Sequence, residues 1–248
     1  MQIPIFIVSI HDAVKRRLQL ISQLEDLNLN YELFNAVDFR NGVPQIIEHL
    51  IDHKGFMQNF SRDILSTEVG CAFSHHMIYR KIIRQNLNSA IILEDDAILS
   101  DGFAELANKD VSIKFDLLLL DHLGAYVNKN DGHELVTTSK AFILKYNKVY
   151  LTTGYLIKYS AADYLVKNTL PLSNTADWPI DITAMHCYAA YPRLVEHAQS
   201  GEGHSYIHAD KLKLGKSKQL VNFIKYFKLN YWQYKKNKSK RNFYTLLK

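Results

Sequence analysis

The apolar positions of the chain form short runs that alternate with segments of helical spacing. Residues 3–10 are almost continuously apolar, which is typical of a buried strand. Asp12 is placed to cap a helix after this run. The apolar positions of that helix are Val14, Leu18, Ile21 and Leu24. Residues 31–34 form a second short strand, so the order strand, helix, strand predicts a right-handed βαβ unit and a parallel sheet.

The same alternation continues along the rest of the chain. Residues 45–64 are ambiguous between helix and loop, and a stronger helix starts at Ser66 or Thr67 with Glu68 in its first turn. Polar loops are expected over residues 35–42 and 174–181, and a helix over 160–168. Further apolar runs predict strands over residues 90–93, 115–120, 142–146 and 149–157, of which the last two flank an Asn-Lys turn. Residues 184–191 are again apolar.

The charges are distributed unevenly along the chain. Its 248 residues include 30 basic and 25 acidic ones, and 47% are hydrophobic, enough for one α/β domain with a full core. Residues 211–248 hold 11 Lys, one Arg and no acid, so residues 1–210 carry a net charge of −7. We therefore expect a domain over 1–210 and a basic tail over 211–248. Because the domain is acidic, we do not expect it to bind nucleic acid.

Cysteine usage and hydropathy indicate the compartment. Cys71 and Cys187 are far apart and form no metal-type pair, which fits a reducing environment. Residues 1–10 lack the basic region and cleavage site of a signal peptide, and no apolar run reaches the roughly 18 residues that span a bilayer. We expect a cytoplasmic protein that is peripheral on the inner face of the membrane.

Three consecutive carboxylates, Glu94, Asp95 and Asp96, follow the apolar run 90–93. Like charges in a row repel one another, and a protein core would leave them without partners. The carboxyl end of a parallel strand is where α/β sheets bind ligands. Clustered carboxylates suit Mg²⁺ or Mn²⁺, which neutralise a pyrophosphate as a sugar leaves it. The alternative is an acidic surface turn.

The sequence around this triplet carries two motifs. Residues 68–75 read Glu-Val-Gly-Cys-Ala-Phe-Ser-His, and residues 92–97 read Ile-Leu-Glu-Asp-Asp-Ala. Together they resemble glycosyltransferase family 25, in which a Glu-x-Gly-Cys-x-x-Ser-His segment precedes Leu-Glu-Asp-Asp-Ala. This family includes bacterial lipooligosaccharide glycosyltransferases and the collagen β-galactosyltransferases. Shorter matches extend the resemblance over about residues 3–207, at residues 8–10, 16–17, 34–38, 153–157, 161–162, 170–171 and 177–181.

The resemblance implies a GT-A-like, single nucleotide-sugar-binding domain with a mostly parallel central sheet. It also implies an Asp-x-Asp-type motif, in which Asp96 is the first choice for a metal ligand and Asp95 the second. Glu94 or Asp95 would reach the ribose or a metal-bound water. The implied cofactor is Mn²⁺ or Mg²⁺. The implied donor is UDP-galactose, with UDP-glucose second, and the acceptor is a lipooligosaccharide or lipopolysaccharide glycan.

The family inverts the anomeric centre, so one general base must take the proton of the acceptor hydroxyl, without a covalent intermediate. Asp181 and Asp177 are the candidates for this base, and Asp121, at the end of a predicted strand, is the third. For each of them a role as turn acid or cap is the alternative.

Other residues could contact the donor. His75 and Ser74 are such candidates, although a hydrogen-bonded place in the core is as plausible for both. Arg16 or Arg17 could pair with the diphosphate, or simply lie on a solvated helix face. Asp38 could reach the uracil or ribose.

The resemblance breaks down in one place near its end. The family often has Gln near position 197, where this chain has His197, so a role as a terminal metal ligand is conceivable but open. His204 and His208 are similar candidates.

Two rival functions remain open at this point. In the first, the chain is a non-catalytic protein whose acidic triplet holds a structural cation or sugar nucleotide. In the second, it is a metal-dependent phosphoryl hydrolase. Such hydrolases need a nucleophilic Asp near the first strand, and residues 3–10 contain none.

The basic tail interleaves Lys with aromatic residues. Val221, Ile224, Phe227 and Tyr231 recur at helical spacing. A basic amphipathic helix of this kind lies well at an anionic membrane surface, where each Lys or Arg contributes on the order of 1 kcal/mol. We therefore predict a membrane contact for residues 211–248. A solvated or self-packed tail is the alternative.

Overall fold

A computed structural model describes residues 1–146, 149–197 and 245–247. The α-helices of these ranges are α1 (Val14–Asp26), α2 (His53–Phe60), α3 (Ser66–Arg84), α4 (Phe103–Asn108) and α5 (Tyr159–Asn168). The strands are β1 (Ile5–Ser9), β2 (Glu32–Asn35), β3 (Ser89–Glu94), β4 (Ala97–Leu99), β5 (Leu117–Leu119), β6 (Tyr126–Val127), β7 (Gly132–Val136), β8 (Ser139–Ile143), β9 (Gly154–Lys158), β10 (Cys187–Tyr191), β11 (Val195–His197) and β12 (Thr245–Leu246). Short 3-10 helices lie at Gln45–Leu50, Lys129–Asp131 and Ile182–Ala184.

The central sheet has eight strands in the order β2-β1-β3-β9-β5-β10-β8-β7. Six of them run in the same direction, and β9 and β8 run against it. The predicted βαβ unit is present, because β1 and β2 pair in parallel and α1 connects them. The predicted α/β class with a mostly parallel central sheet, as in GT-A-like domains, is therefore confirmed.

Alternating residues of the buried strands feed two cores, one on each face of the sheet. On β1, Ile5 and Ile7 face the core that contains Leu20 and Leu24 of α1. Phe6 and Val8 face the opposite core, which contains buried residues of α3 and α5. Each fully buried aliphatic side chain contributes about 1.5–3 kcal/mol, and cover on both faces explains why these strands read as continuous apolar runs.

The directions of the strands determine where a site can form. β1, β2, β3 and β5 run in parallel, so their carboxyl ends reach the same edge of the sheet. The segments that follow these strands begin at Ile10, Ala36, Asp95 and Leu120. Ligand-binding loops of α/β sheets gather at such an edge.

Several local predictions need correction. Asp12 does not cap α1, since the N-cap position is Ala13 without a side-chain cap, and Asp12 pairs with Arg40 instead. Val14 and Leu18 of the predicted apolar stripe are exposed, whereas Leu20 and Leu24 are buried. The helix turns the side with Leu20 and Leu24 towards the core, and helical spacing alone does not show which of its apolar positions are buried.

The region after residue 140 also differs from the prediction. Strands are present near both predicted runs, as β8 and β9, but they do not pair with each other. β9 instead lies between β3 and β5, antiparallel to both. The predicted Asn-Lys turn at residues 147–148 lies outside the described residues. Sequence proximity favoured a hairpin, and the burial of β9 in the middle of the sheet outweighed it.

Two short ribbons were not predicted. β11 pairs with β4 in antiparallel register, which places His197 opposite Ala97. β12 pairs with β6, and Leu247 next to it is buried in the core. The end of the predicted tail therefore contacts the body of the protein, while the predicted boundary at residue 210 and the amphipathic stretch lie outside the described residues. None of the described helices is both long and apolar enough to cross a bilayer.

Candidate active site at the carboxyl edge of the sheet

A cleft of about 120 Å³ opens at the carboxyl edge, where the ends of β1, β2 and β3 meet α1 and α3. It brings together six of the residues predicted from the sequence, namely Arg16, Asp38, Ser74, His75, Glu94 and Asp95. Three parallel strands and two helices, far apart in sequence, thus contribute to one concave surface. This is the arrangement expected of a small-molecule site.

The first motif shapes one wall of this cleft by close packing. A Cβ atom at Gly70 would lie 2.8 Å from the carbonyl oxygen of Val37, so only glycine lets α3 approach the loop after β2 this closely. One turn later, Ser74 Oγ accepts from the Val37 N–H at 2.8 Å and donates to the Gly70 carbonyl at 2.7 Å. Ser74 therefore holds the loop that carries Asp38, whether or not it also touches a ligand.

The acid of the first motif has a structural place. Glu68 is buried, and its carboxylate forms two hydrogen bonds with the Arg62 guanidinium, at 2.6 and 2.7 Å. It also accepts from the backbone N–H of Leu65, the residue before α3. Glu68 therefore anchors the first turn of the helix that presents His75.

Asp95 and Asp96 face α1 and share one cation. Arg16 Nη2 lies 2.8 Å from Asp95 Oδ1 and 3.0 Å from Asp96 Oδ2. Ser9 Oγ donates to the other oxygen of Asp95 at 2.8 Å. Among the described residues, no donor reaches Asp96 Oδ1, although this oxygen is buried. One guanidinium thus neutralises only part of the charge of the two carboxylates.

Because Asp95 and Asp96 are buried with only one neighbouring guanidinium among the described residues, the pKa values of both are raised. Burial raises the pKa of Asp96 to about 6, and the charges of Glu94 and Asp95 add to the effect, against the opposing charge of Arg16. Burial also raises the pKa of Asp95, which Arg16 and Ser9 partly offset. A further cation at this place would lower both pKa values, because it stabilises the ionised forms.

Glu94 points away from this pair, towards α3 and β9. Its Oε1 accepts from Thr152 Oγ1 at 2.6 Å and lies 3.3 Å from His75 Nε2. Burial raises the pKa of Glu94, but hydrogen bonds from His75 and Thr152, with the charges of His75 and Arg16, outweigh it and leave the pKa below its usual value. Glu94 is therefore held ionised, whereas the raised pKa values of Asp95 and Asp96 oppose the ionisation of these two residues.

His75 is oriented by a chain of hydroxyl groups. Its Nδ1 lies 2.7 Å from the hydroxyl of Tyr155, which in turn donates to the Tyr79 hydroxyl at 3.3 Å. All three side chains are buried, and their rings lie within 6.4 Å of one another. His75 thus combines a place in the core with a position in the cleft, because one ring nitrogen faces the core and the other faces Glu94.

Two groups of side chains could hold a metal ion. Asp95 and Asp96 offer only oxygen atoms. Cys71, His75 and Glu94 offer sulfur, nitrogen and oxygen atoms that lie within 4.8 Å of one another. Burial raises the pKa of the Cys71 thiol, and the nearby charges of Glu94, Asp177 and Asp96 raise it further.

The structure separates the two arginines of α1. Arg16 lines the cleft, as described above. Arg17 donates to Ser9 Oγ at 3.2 Å and to the carbonyl groups of Ile10 and His11 at 3.0 and 3.2 Å, so it braces the segment after β1.

Asp38 lies at the mouth of the cleft and is paired with Arg40. The Arg40 guanidinium contacts the Asp38 carboxylate at 2.6 Å, and its hydrogen bonds lower the pKa of that carboxyl group. Arg40 also reaches Asp12 at 2.8 Å, which ties the loop after β2 to the start of α1. The pair offers a donor and an acceptor at the cleft rim.

The three predicted bases occupy different environments. Asp177 accepts from the Leu151 N–H at 3.2 Å, and its charge acts on Cys71 together with those of Glu94 and Asp96. Asp181 is exposed and caps a 3-10 helix, where it accepts from the Thr183 N–H and hydroxyl at 2.9 and 2.6 Å. Asp177 therefore contacts the segment that carries Thr152, the partner of Glu94, whereas Asp181 lies at a turn.

Asp121 is fully buried behind the site. Its carboxylate pairs with Arg193 at 3.2 Å and with His197 Nδ1 at 3.1 Å. Since His197 faces Ala97 across the β4–β11 ribbon, Asp121 holds an imidazole next to the acidic triplet. His204 and His208 lie outside the described residues.

Sequence reasoning missed Thr152, Tyr155 and Arg193 as parts of these networks. Tyr155 lies inside one of the matched segments, and its polar group in a buried strand is a signal for a partner. The helical spacing of Cys71 and His75 placed them on one face, but nothing in the sequence indicated that Glu94 would meet them. Thr152 and Arg193 carried no signal, because only the strand order brings them to Glu94 and Asp121.

Comparison with known proteins identifies the family of the chain. Residues 2–183 match the sequence profile described as "Glycosyltransferase family 25 (LPS biosynthesis protein)". The chain is 30% identical to mouse "Inactive glycosyltransferase 25 family member 3" over 125 residues, which is 47% of this chain and 21% of the mouse protein. It is 23% identical to "Lipooligosaccharide biosynthesis protein lex-1" of Haemophilus influenzae over 187 residues, 65% of this chain and 62% of that protein.

A solved structure, "Crystal Structure of A197 from STIV", is similar over 81% of this chain and 96% of its own, with 12% identity and a TM-score of 0.41. The chain spans about a fifth of the length of the mouse relative and less than two thirds of the Haemophilus one.

Proposed function

The chain belongs to glycosyltransferase family 25, and from this premise we propose that it is an inverting transferase that moves a hexose from a UDP-sugar to a glycan acceptor. The observation that carries the proposal is the cleft at the carboxyl edge of the sheet. It combines an Arg and a cluster of carboxylates with an Asp-Arg pair at its rim. A sugar nucleotide needs these groups for its diphosphate, a bridging cation and its nucleoside.

The side chains present fit a hard divalent cation such as Mn²⁺ or Mg²⁺. Asp96 Oδ1 is buried and has no donor among the described residues, and the pKa of Asp96 is raised to about 6, so the carboxylate pair lacks positive charge. We propose Asp96 as the principal ligand and Asp95 as the second. A bound cation would supply Lewis acidity for the departing UDP. Arg16, which already bridges both carboxylates, would share them with the cation or turn towards the diphosphate.

The remaining residues are given positioning or proton-transfer roles. Asp38 and Arg40 would orient the nucleoside, and Glu94, fixed by Thr152 and His75, would face the ribose or a water molecule. Asp177 is our first choice for the general base, because it accepts from the N–H of Leu151, the neighbour of the Thr152 that donates to Glu94. Asp181 is the second choice. Asp121, fully buried, would act by holding His197.

The finer identity of the substrates rests on relatives. UDP-galactose is our first choice of donor and UDP-glucose the second. A lipooligosaccharide or lipopolysaccharide glycan is the proposed acceptor, since the family description and the name of the Haemophilus relative both refer to that biosynthesis.

Donor hydrolysis tests the proposal without knowledge of the acceptor. The full chain is incubated with a panel of UDP-sugars, in Mn²⁺ and in EDTA, and UDP release is measured. We expect release with UDP-galactose or UDP-glucose in Mn²⁺ and none in EDTA. Equal release in EDTA would contradict the metal role, and no release with any donor would contradict the function.

A non-catalytic sugar-nucleotide binding protein is the second candidate, because the matched mouse relative is named inactive. The same panel separates the two, since a binding protein would retain a UDP-sugar in equilibrium dialysis without releasing UDP. A metal-dependent phosphoryl hydrolase has less support. β1 is the apolar strand Ile5–Ser9 and carries no acid that could act as a nucleophile.

We also propose that residues 211–248 bring the protein to an anionic membrane surface on the cytoplasmic side, where a lipid-linked acceptor lies. The support is the sequence, which has 12 basic residues and no acid in this segment. Replacing Lys235, Lys236, Lys238 and Lys240 with Gln should abolish salt-sensitive binding to phosphatidylglycerol vesicles. These changes leave intact β12, which pairs with the body. A full-length protein that ignores such vesicles at low salt would contradict this proposal.

A further inference from the structure

A second group of potential metal ligands lies on the floor of the cleft, next to the carboxylate pair. Cys71 and His75 are one helical turn apart on α3, so both side chains leave the same face of the helix. Glu94, at the end of β3, points to that face. The potential ligand atoms of the three residues lie within 4.8 Å of one another, close enough for one ion to contact all three.

The histidine of this group is oriented as metal-binding histidines are. Ligating imidazoles usually donate their other N–H to a fixed acceptor, which sets the tautomer and the direction of the free nitrogen. Here Nδ1 lies 2.7 Å from the Tyr155 hydroxyl, and that hydroxyl donates to Tyr79. The Tyr155 oxygen is therefore available to accept a proton carried on Nδ1, and a metal ion could then take the place of the Nε2 proton that hydrogen-bonds to Glu94 in the metal-free protein.

The chemistry of the three ligand atoms differs from that of the neighbouring pair. Asp95 and Asp96 present only oxygen atoms, which suit hard cations. A thiolate, an imidazole and a carboxylate are the ligands that Zn²⁺ prefers, and three protein ligands leave its fourth tetrahedral position open. All three residues line the cleft, so that fourth position would face the solvent and the donor.

We propose that Cys71, His75 and Glu94 bind Zn²⁺, at a site distinct from the Asp95–Asp96 pair. Binding displaces the thiol proton of Cys71 to the solvent, because only the thiolate ligates the metal. Occupation of the site would engage Glu94 and narrow the cleft. Binding of Zn²⁺ does not depend on whether the chain transfers a sugar, so a failed transferase assay leaves it intact.

Cobalt provides a direct readout, since Co²⁺ bound by a thiolate shows a sulfur-to-metal charge-transfer band in the near ultraviolet. The full chain is stripped of metal and titrated with Co²⁺ without oxygen, and Zn²⁺ is then added. We expect one equivalent to develop the band and Zn²⁺ to remove it. The Cys71→Ser variant, whose only remaining cysteine is Cys187, should show no band and bind Zn²⁺ at least about tenfold more weakly.

Two further variants distinguish this site from others. Tyr155→Phe keeps every ligand but removes the partner of Nδ1, so Zn²⁺ affinity should fall by about 10- to 100-fold. Asp96→Asn should keep the band, because it alters only the neighbouring pair. The absence of a band in the wild-type protein, or its persistence in Cys71→Ser, would overturn the proposal.

A measurement on the unmodified chain covers the case in which Cys71→Ser fails to fold. Zn²⁺ should slow the alkylation of Cys71 by iodoacetamide at least about tenfold, as measured by peptide mass spectrometry, because a thiolate bound to the metal is not free to attack the reagent. Cys187 is buried and serves as the internal reference. Alkylation of Cys71 at the same rate with and without Zn²⁺ would overturn the proposal.

Discussion

Glu94 and its two neighbours, Asp95 and Asp96, are adjacent in sequence but occupy opposite environments. Glu94 lies among hydrogen-bond donors from α3 and the segment before β9, and its pKa is lowered. Asp95 and Asp96 lie against α1 with one guanidinium between them, and their pKa values are raised. The three adjacent carboxyl groups therefore differ in their pKa values, because their surroundings differ.

Glu94 is a preformed part of the site, whereas the Asp95–Asp96 pair is completed only by a bound cation. Glu94 has its partners in place, so it can orient a ligand without a change in its own charge. The aspartate pair is short of positive charge and is stabilised when a cation arrives. Acidic residues whose pKa values are pushed apart by their surroundings are typical of sites with divided roles. The predictions that follow test this division.

The largest effect should come from removing the charge of Asp96. Asp96→Asn should lower UDP release at least about 100-fold, because the pair loses its principal cation ligand. The measurement is UDP release in saturating Mn²⁺. Asp101→Asn, at an exposed acid in the turn after β4, is the matched control and should match the wild type. An Asp96→Asn variant with wild-type activity would show that the pair holds no essential cation.

The next effect concerns the base. Asp177→Asn should lower kcat for transfer to an acceptor by about 100-fold while leaving the KM for the donor largely unchanged. Asp181→Asn, four residues away, is the matched control, and we expect it to lose only the cap of a 3-10 helix. If the two variants exchange these outcomes, Asp181 is the base. If neither lowers kcat, Asp121 and His197 are the next to be replaced.

The pH dependence of metal binding should reveal the raised pKa of Asp96. Below about pH 6 a proton competes with the cation for this carboxylate, so Mn²⁺ affinity should fall by up to about tenfold per pH unit. Above pH 7 the affinity should be nearly constant. Calorimetric titration with Mn²⁺ between pH 5 and 8 measures this, and a flat profile down to pH 5 would contradict the assignment.

The smallest effect, but the most direct test of the comparison, is on the stability of the metal-free protein. Because the pKa of Asp96 is raised to about 6, its ionised form destabilises the fold above that pH. Asp96→Asn should therefore raise Tm by several degrees at pH 7.5, and the gain should shrink towards pH 4, where wild-type Asp96 is protonated.

Glu94→Gln should act with the opposite sign. A lowered folded pKa contributes stability above the unfolded value, which is lost as the pH falls through the folded one. The variant should therefore have a lower Tm than the wild type at pH 7.5. Differential scanning calorimetry of both variants in EDTA gives the two shifts. Shifts of Tm with the same sign would show that the surroundings of Glu94 and Asp96 do not have opposite effects on ionisation.

The sequence predicted the parts of the fold that depend on local pattern. The first βαβ unit, α3, β3 and α5 lie near their predicted positions, because their apolar runs and helical spacing are strong. The position of β9 between β3 and β5 could not be predicted, since the apolar pattern of a strand does not show which strands it pairs with or in which direction. Ribbons of two or three residues, such as β4 with β11, carry no periodic signal at all.

The residues of the candidate site were largely predicted from the sequence, but the directions of their side chains were not. The two motifs pointed to the acidic triplet and to His75, and the parallel strand ends brought them into one cleft with Arg16 and Asp38. What could not be predicted is which way each acid faces. Glu94 and Asp95 are consecutive, and the alternation of side chains at a strand end sends them to different partners.

The β4–β11 ribbon connects two regions of the protein, the acidic triplet and the C-terminal basic segment. Ala97, directly after the acidic triplet, pairs with His197, which precedes the basic segment 211–248 in the chain, and the end of that segment pairs with the body at β12. If a surface or an acceptor engages that segment and shifts β11, it shifts the strand that begins at the triplet. Thermodynamic reciprocity then requires that cation affinity and surface affinity change by the same factor.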